Sequence, residues 1–345
     1  MTQEIHQVLD PEGNLVAEPP PLSDQEQLAL YRWMVFGRTF SDRMVALQRQ
    51  GRMGTFAPHT GQEASAGIAS PLEPDDWLIA SYRELIAYFV KGVPPIAVME
   101  THKGYFGKNY RPETHTLPVQ VVLATQMLHA VGVAMALAYE GKPNVAVGVC
   151  GDGATSEGDF NEALNFAGIF RAPFVAVVQN NQWAISTPRS RQTAAAFIAH
   201  RGPAFGMPGY VVDGNDVLAV HKVVGDCVAR ARAGDGPSLV ELLTYRLGPH
   251  TTADDPTKYR SEEEVQRWLA RDPIRRFRRY LLAQGLLSDE EDEAMHEAIT
   301  AEIQQIVEEF EATPPPAPTE IFEHVFGEMT PQLVQQQEEV RKGWG

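Results

Sequence analysis

The sequence predicts an α/β fold, with a central, mainly parallel sheet, helices on both faces of the sheet and a helical C-terminal extension. The first observation is a short apolar run, Val145–Cys150, which is typical of a strand buried on both faces. The second is a stretch in which apolar residues recur at helical spacing from Phe160 to Ala167. The third is another apolar run, Phe174–Val178. Together they predict one strand–helix–strand unit with a right-handed crossover.

Polar residues follow both strands of this unit where the strands end. The first strand runs into Gly151-Asp152-Gly153, and Asn180-Asn181 closes the second. Because parallel strands carry their carboxyl ends to one edge, Asp152 and Asn181 are expected side by side, where open sheets bind ligands. A carboxylate oxygen and an amide oxygen are suitable ligands for Mg²⁺. Oxygens of a bound phosphate and of water complete its coordination shell. Alone, Gly-Asp-Gly is more typical of a turn with a purely structural role. The paired asparagines at the end of the next strand favour a ligand-binding site.

The remaining elements of the α/β part are predicted in chain order. Residues 1–22 carry a turn and three consecutive prolines, which predict an extended arm that is either disordered or laid on a partner. Ser23 with Glu26 predicts the capped start of a long helix, and Ser156 with Asp159 resembles the same capping box. Apolar patterns predict a strand at Trp77–Ala80, a buried helix at Leu123–Tyr139, a strand at Gly209–Val212, a helix at Val217–Arg232 and a last strand at Ser238–Tyr245.

The sequence becomes charged and helical from Ser261 onward. We therefore predict three parts: the arm at 1–22, an α/β domain at 23–260 and a helical extension for subunit contacts at 261–345. Helix starts are expected at Asp272-Pro273 and at Ser288, which has Glu291 three residues later. Four arginines between positions 275 and 279 lie on an amphipathic pattern, so a solvated or subunit-contacting face is expected for them.

Composition excludes several classes of function. The formal net charge is −16, and an acidic surface disfavours binding to nucleic acid or to an anionic membrane. Neither a signal peptide nor a membrane-spanning run is predicted. The two cysteines, Cys150 and Cys227, form no C-x-x-C pair, and a reducing cytoplasm is the expected location.

The central stretch also carries a resemblance to a known family. Gly-Asp-Gly, a helix and then Asn-Asn is the signature of thiamine-diphosphate enzymes, and GDGATSEGDFNEALNFAG with NNQWAISTP resembles one group of them. That group is the alpha subunit of the decarboxylating component of 2-oxoacid dehydrogenase complexes. The similarity runs from about Gln7 to about Gln335 and is greatest to pyruvate dehydrogenase alpha subunits of Gram-positive type. It implies a thiamine-diphosphate-binding fold, with thiamine diphosphate and Mg²⁺ as cofactors.

The resemblance implies roles for individual residues at the predicted edge of the sheet. Asp152 and Asn181 are expected to bind Mg²⁺ together with the carbonyl of Trp183. Gly153 and Ala154 are expected to offer backbone groups to the diphosphate.

Other cofactor contacts rest on the resemblance as well. Local pattern favours an ordinary surface pair at Tyr82-Arg83, whereas the family's Tyr-Arg pair holds the cofactor phosphates. Leu123 matches the aliphatic residue that props thiamine into a bent shape. Two positions depart from the family pattern, because Gln179 replaces a phosphate-binding Arg and Thr55 replaces an aromatic residue near the substrate.

Two histidines are candidates for catalysis. The segment Gly248–Arg260 has no apolar periodicity and predicts a mobile surface loop, but the resemblance implies that His250 reaches cofactor and substrate. His115, in the polar segment 103–118, matches a family histidine near the reacting centre. Local pattern alone favours solvated side chains at both positions.

The resemblance also implies that the chain is half of an active site. In this family a glutamate that protonates the aminopyrimidine ring lies on a beta subunit, so an alpha₂beta₂ heterotetramer is expected. Its substrate is expected to be a small 2-oxo acid, pyruvate, and its acyl acceptor the lipoyl groups of dihydrolipoyl acyltransferase. Branched-chain 2-oxoacid and acetoin dehydrogenase alpha subunits are alternatives within the family. A nucleotide-binding Rossmann protein is disfavoured because the third glycine of G-x-G-x-x-G is missing, and a non-catalytic subunit because the site residues are retained.

Overall fold

The structure, a computed structural model, describes residues 4–105, 111–323 and 325–343. The first residues of the predicted arm, the middle of the polar segment 103–118 and the last residues of the predicted extension lie outside the described residues.

Six strands form one parallel sheet in the order β1-β7-β8-β4-β3-β2. A separate antiparallel ribbon, β5–β6, follows the fourth strand. The strands are β1 Ile5–His6, β2 Trp77–Ile79, β3 Ala146–Gly151, β4 Phe174–Asn180, β5 Trp183–Ala184, β6 Thr187–Pro188, β7 Gly209–Asp213 and β8 Ser238–Leu243.

Helices cover both faces of the sheet and form the C-terminal part, which confirms the predicted fold class. They are α1 Asp24–Arg49, α2 Ala66–Ala69, α3 Leu85–Val90, α4 Pro95–Lys103, α5 Thr125–Tyr139, α6 Gly158–Phe170, α7 Val217–Arg232, α8 Glu262–Leu269, α9 Pro273–Ala283, α10 Asp289–Ala312 and α11 Pro331–Gly343. Among the described residues, no helix has both the length and the apolar composition needed to cross a membrane.

The predicted strand–helix–strand unit is β3–α6–β4. The two strands pair in parallel from Ala146 opposite Phe174 to Gly151 opposite Gln179, so both end at the same edge. Side chains of a strand alternate between faces, and both faces are buried here. Val147 and Val149 belong to the core that contains residues of α1 and α7, whereas Ala146 and Cys150 belong to the core that contains residues of α5 and α6. This two-sided burial explains why the strands read as continuous apolar runs.

Two predicted helix starts differ from the structure. Ser156 does not cap α6, because residues Asp152–Ser156 form a 3₁₀ turn and the helix starts at Gly158 after an N-cap without a side-chain hydrogen bond. The helix predicted from Leu123 starts at Thr125, and its exposed residues include Leu128 and Tyr139, so only one of its faces is buried. The capping boxes predicted at the starts of α1 and α10 are both present.

The arm lies on its own chain, which was neither of the two expected alternatives. Its short strand β1 pairs with β7. The backbone N–H groups of Val8 and Leu9 donate to Oδ2 of Asp216, at 2.7 and 2.6 Å. Because the same carboxylate caps α7, the arm is held at the start of a buried helix.

One arginine of α9 does not lie on the solvated or subunit-contacting face that was expected for all four arginines. Arg276 is completely buried and donates from Nη1 to Oδ2 of Asp213, the last residue of β7, at 2.9 Å. Removing one partner of such a buried pair leaves the other charge uncompensated and destabilises a fold strongly. The pair therefore ties the C-terminal helices to the carboxyl edge of the sheet.

Candidate functional site

A pocket of about 170 Å³ lies where β2, β3, β4 and β8 end. Its wall contains every predicted site residue except His115. These are Tyr82, Arg83, Leu123, Asp152, Gly153, Ala154, Asn181, Trp183 and His250. Residues from distant parts of the sequence therefore meet at the edge that parallel topology predicts.

Asp152 and Asn181 contribute side-chain oxygen atoms, which are possible metal ligands, to the wall of the pocket. Asp152 is buried, and burial raises the pKa of its carboxyl group although Gln192 donates a hydrogen bond to Oδ2 at 2.7 Å. Asn181 donates from Nδ2 to Oε1 of Gln62 at 3.1 Å and accepts at Oδ1 from the N–H of Trp183 at 3.2 Å. These bonds fix which end of the amide carries the oxygen.

The described residues contain no group of three or more His, Cys, Asp or Glu that could hold a metal ion. A protein-only metal cage is therefore not formed by this part of the chain. The oxygen set at Asp152 and Asn181 instead fits a cation that takes further ligands from a bound phosphate and from water.

Two buried guanidinium groups belong to the same wall. Arg83 donates from Nη1 to the carbonyl of Pro58, and burial lowers the pKa of its guanidinium. Arg246 is completely buried and donates to the carbonyls of Trp183 at 3.2 Å and Ile185 at 2.7 Å. Its Nε has no hydrogen-bond partner among the described residues. Buried cations with unused donors favour an anion in the pocket.

His250 lies between these two arginines. Its Nδ1 is 3.2 Å from Nη2 of Arg83 and 3.3 Å from Nη1 of Arg246. Because a guanidinium can only donate, Nδ1 is an acceptor and the neutral ring carries its proton on Nε2. Burial, as the main cause, and the charges of Arg83 and Arg246 together lower the pKa of His250 to about 4.

We expect His250 to stay neutral in the ligand-free protein from pH 8 to about pH 5. Its pKa is depressed in the folded state, so the stability that depends on neutral His250 is complete above the ordinary value of 6.5 and is lost as the pH falls toward 4. Nitrogen-15 NMR of the His250 imidazole during a pH titration checks this. A midpoint for His250 near 6.5 would contradict the arrangement.

The segment expected to be a mobile loop makes many polar contacts. Asp254 accepts from the backbone N–H of His250 at 2.7 Å and from the hydroxyl of Tyr259 at 2.5 Å. Arg246 donates to the same hydroxyl at 2.8 Å, and Arg260 donates to the carbonyls of residues 247 and 248. These hydrogen bonds, with ring contacts such as the one between Tyr259 and Trp183, hold the segment against the pocket, and hydrophobic periodicity in the sequence does not reveal them.

The two glycines beside Asp152 have different consequences. A Cβ atom at Gly151 would meet nothing within 4 Å, so this position leaves open space at the mouth of the turn. A Cβ atom at Gly153 would lie 2.8 Å from Cβ of Ala184. Gly153 therefore lets the β5–β6 ribbon pack against the turn that carries Asp152, and neither glycine has a positive φ.

The structure does not bring His115 to this pocket. Its ring packs against Trp77, the first residue of β2, with centroids 5.3 Å apart, and its Nδ1 lies 4.0 Å from Asp75. Trp77 pairs with the first residue of β3, so His115 lies near the amino ends of the strands and the pocket lies at their carboxyl ends. The geometry gives no support to the predicted catalytic role of His115.

Sequence reasoning missed several residues of the site. Arg246 lies three residues after the last strand, β8, ends. A charged residue at that position was the one feature of the sequence that could have indicated its place in the site. Glu84 is a buried carboxyl group in the wall and accepts from Nε2 of Gln179 at 3.1 Å, so the residue that replaces the family's arginine is engaged by Glu84. Thr55 is exposed and does not line the pocket.

Comparison with known proteins places this geometry in context. A family model described as "Dehydrogenase E1 component" matches residues 31–319. The 3-methyl-2-oxobutanoate dehydrogenase subunit alpha of Mycobacterium tuberculosis is 48% identical over 344 residues, covering 97% of this chain and 93% of the relative. The pyruvate dehydrogenase E1 component subunit alpha of Staphylococcus aureus is 41% identical over 341 residues, covering 97% and 92%. The subunit of the same name from Acholeplasma laidlawii is 42% identical over 339 residues, covering 96% and 98%.

Proposed function

The chain belongs to the dehydrogenase E1 component family as the alpha subunit of a 2-oxoacid dehydrogenase, and from this premise we propose its substrate, cofactors and partners. The proposed reaction is the thiamine diphosphate- and Mg²⁺-dependent oxidative decarboxylation of a small 2-oxo acid, with transfer of the acyl group to lipoyl groups. The observation that carries the proposal is one pocket whose wall contains a buried carboxylate and two buried guanidinium groups.

The donor set of this pocket fits a magnesium diphosphate. Asp152 is a buried carboxylate whose pKa is raised by burial, so a bound cation would stabilise its charged form. Arg246 keeps a buried Nε without a partner in the described structure, so an anion would satisfy an unused donor. The open space beside Gly151 leaves room for a ligand at the turn between these groups.

We assign the cation to Asp152, Asn181 and the carbonyl of Trp183. The diphosphate is assigned to Arg83, to Tyr82 and to the backbone of Gly153 and Ala154, all in the same wall. Leu123 is assigned to the apolar support of the thiamine rings. When bound, thiamine diphosphate supplies an electron sink for the loss of CO₂ from a 2-oxo acid.

His250 is the proposed catalytic residue. As a neutral ring with its proton on Nε2, it can donate a hydrogen bond to an oxygen of the reacting group without carrying a charge. Arg83 and Arg246 hold the ring through Nδ1, so its orientation is fixed before substrate binds. His115 is a second candidate on sequence grounds alone.

Replacing His250 with alanine is expected to change cofactor affinity by less than about tenfold, roughly 1.4 kcal/mol. Reductive acylation of lipoyl groups is expected to fall by about a hundredfold, the range of a lost acid–base group. Calorimetry and acylation assays measure the two effects. The control is His296→Ala on the exposed part of α10, and His115→Ala tests the second candidate.

If the His250→Ala complex acylates lipoyl groups at the rate of the unchanged protein, His250 has no catalytic role. A comparable loss in His115→Ala with normal cofactor binding would support the prediction made from the sequence and not the geometry described above.

Two substrates are proposed within the 2-oxo acid class. The motifs favour pyruvate, because they resemble Gram-positive pyruvate dehydrogenase subunits. The 48% identical relative named for 3-methyl-2-oxobutanoate favours a branched-chain acid instead. The ratio of kcat/KM for pyruvate and 3-methyl-2-oxobutanoate, measured on the complex with a co-expressed beta subunit, distinguishes them. A ratio above about ten selects pyruvate, and one below about one tenth selects the branched-chain acid.

We propose that a beta subunit covers the open side of the pocket. Leu123 in the wall is 41% exposed, and Val121 and Val122 beside it are 72% and 68% exposed. Exposed apolar side chains also occur at Ile185, in the wall of the pocket, and on the outer face of α6. An exposed apolar surface of this kind is typical of a protein interface. Its continuity with the half-open pocket favours a partner that completes the same site.

The other proposed partners and properties rest on the resemblance. They are an alpha₂beta₂ heterotetramer, a lipoyl-bearing dihydrolipoyl acyltransferase and a cytoplasmic location. The division at residues 22 and 260 and the use of the C-terminal helices in subunit contacts also stay predictions.

A further inference from the structure

We propose that Gln192 is a positioning residue that holds the Asp152 carboxylate, through its Oδ2, in the orientation in which it binds a divalent cation. The inference rests on the proposed function, because the cation is the Mg²⁺ assigned to this pocket. Gln192 lies outside the residues that the motifs singled out, forty positions along the chain from Asp152.

The side-chain amide of Gln192 is oriented by two acceptors. Nε2 donates to Oδ2 of Asp152 at 2.7 Å and to the carbonyl of Thr187 at 3.2 Å. Turning the amide around would place Oε1 against a carboxylate and a carbonyl, and both contacts would be repulsive. The amide can therefore hold Asp152 in one direction only.

The backbone that carries Gln192 is anchored on both sides. The ribbon β5–β6 leads into a 3₁₀ turn at Arg189–Arg191, and the N–H of Gln192 closes that turn on the carbonyl of Arg189 at 3.0 Å. The guanidinium of Arg189 donates to the carbonyls of residues 195 and 196, at 2.6 and 2.7 Å. The donor is thus fixed relative to Trp183, whose carbonyl belongs to the proposed cation set.

The side-chain oxygen of Gln192 indicates that glutamine is present for the hydrogen bonds that its Nε2 donates. Oε1 of Gln192 is buried and has no hydrogen-bond partner in the described structure. A buried acceptor without a partner is unfavourable, and methionine would fill the same space without that penalty. The two donated bonds are what distinguishes glutamine from methionine at this position.

The contact with Asp152 has a defined consequence for metal binding. Because the donor is a neutral amide, the contact orients the carboxylate through Oδ2 without placing a second positive charge beside the proposed cation. Outer-shell donors of this kind orient ligating carboxylates, and their loss typically lowers metal affinity by about ten- to a hundredfold.

The test uses the complex with its beta subunit and thiamine diphosphate, and it titrates Mn²⁺ by electron paramagnetic resonance. In Gln192→Met we expect the Mn²⁺ dissociation constant to rise by about tenfold or more, while turnover at saturating Mg²⁺ stays within about threefold. Gln192→Asn withdraws the donor by one methylene group and is expected to behave alike. Arg191→Ala, an exposed residue of the same turn, is the matched control.

The melting temperature separates positioning from folding. An unchanged melting temperature with weaker Mn²⁺ binding in either Gln192 variant supports the inference. Unchanged Mn²⁺ affinity in a folded variant overturns it. If the wild-type complex itself binds no Mn²⁺ with thiamine diphosphate, the proposed function fails first and the inference with it.

Discussion

Replacing Asp152 with asparagine is expected to weaken Mg²⁺-dependent binding of thiamine diphosphate by more than about a hundredfold, roughly 2.8 kcal/mol. Asp152 is the one carboxylate assigned to the cation. Asparagine keeps its shape and one oxygen but removes the charge. The buried carboxylate is held near a hydrogen-bond donor and not in an ion pair, so the fold is expected to change little. Calorimetric titration of the cofactor into the assembled complex, with and without Mg²⁺, measures the effect.

The matched control for this prediction is Glu157→Gln. Glu157 is exposed and lies just after the 3₁₀ turn, so the variant removes the same charge without touching the pocket. Because burial raises the pKa of Asp152, protons compete with the cation, and cofactor affinity is expected to fall as the pH is lowered. Wild-type affinity in Asp152→Asn would remove this carboxylate from the metal site.

The second large effect is expected from the chain by itself, which should show no sustained decarboxylation of a 2-oxo acid. The pocket has the donors for a magnesium diphosphate, but Leu123 and Ile185 are partly exposed at its open side. Reacting groups at that side would meet water, which competes as a proton donor. Addition of a beta subunit is expected to restore turnover, because it closes the site.

The measurement follows 2-oxo acid consumption with an artificial electron acceptor, first with the purified alpha subunit and then with the co-purified complex. The control is the complex that carries Asp152→Asn in the alpha subunit, which should have the same composition and no activity. Turnover by the alpha subunit alone would show that the site is complete in one chain.

The parallel unit and its two polar strand ends were predictable from the sequence for a physical reason. β3 and β4 are buried on both faces, so they are apolar along their whole length and stand out from their surroundings. Topology then places Asp152 and Asn181 at one edge without any knowledge of their side-chain contacts. The C-terminal helices were recognisable from capping residues such as Ser288.

Contacts between distant segments were not predictable in this way. Gln192 contacts Asp152 and Arg246 contacts Ile185, and each pair is more than thirty positions apart in the sequence. Neither Gln192 nor Arg246 belongs to a local sequence pattern that indicates such a contact. The arm carries no signal for the carboxylate of Asp216 that holds it. His115 was expected near the reaction because of a family match, whereas its place near the start of β2 goes with the bridge between the next residue, Thr116, and Leu78.

The pocket contains buried charges of both signs that form no ion pair with each other in the described structure. They are the carboxylate of Asp152 and the guanidinium groups of Arg83 and Arg246, with His250 between the two arginines. Such an arrangement is unfavourable until a ligand with both a cation and an anion satisfies the charges of both signs. The chain therefore prepares one half of a cofactor site, and its partner has to supply the other half.

The most direct test of this account is anomalous diffraction from crystals of the alpha–beta complex grown with Mn²⁺ and thiamine diphosphate. An anomalous peak is expected within coordination distance, about 2.2 Å, of a carboxylate oxygen of Asp152 and the side-chain oxygen of Asn181, with the diphosphate toward Arg83. A manganese peak at another place in the complex, with the diphosphate away from Arg83, would contradict it.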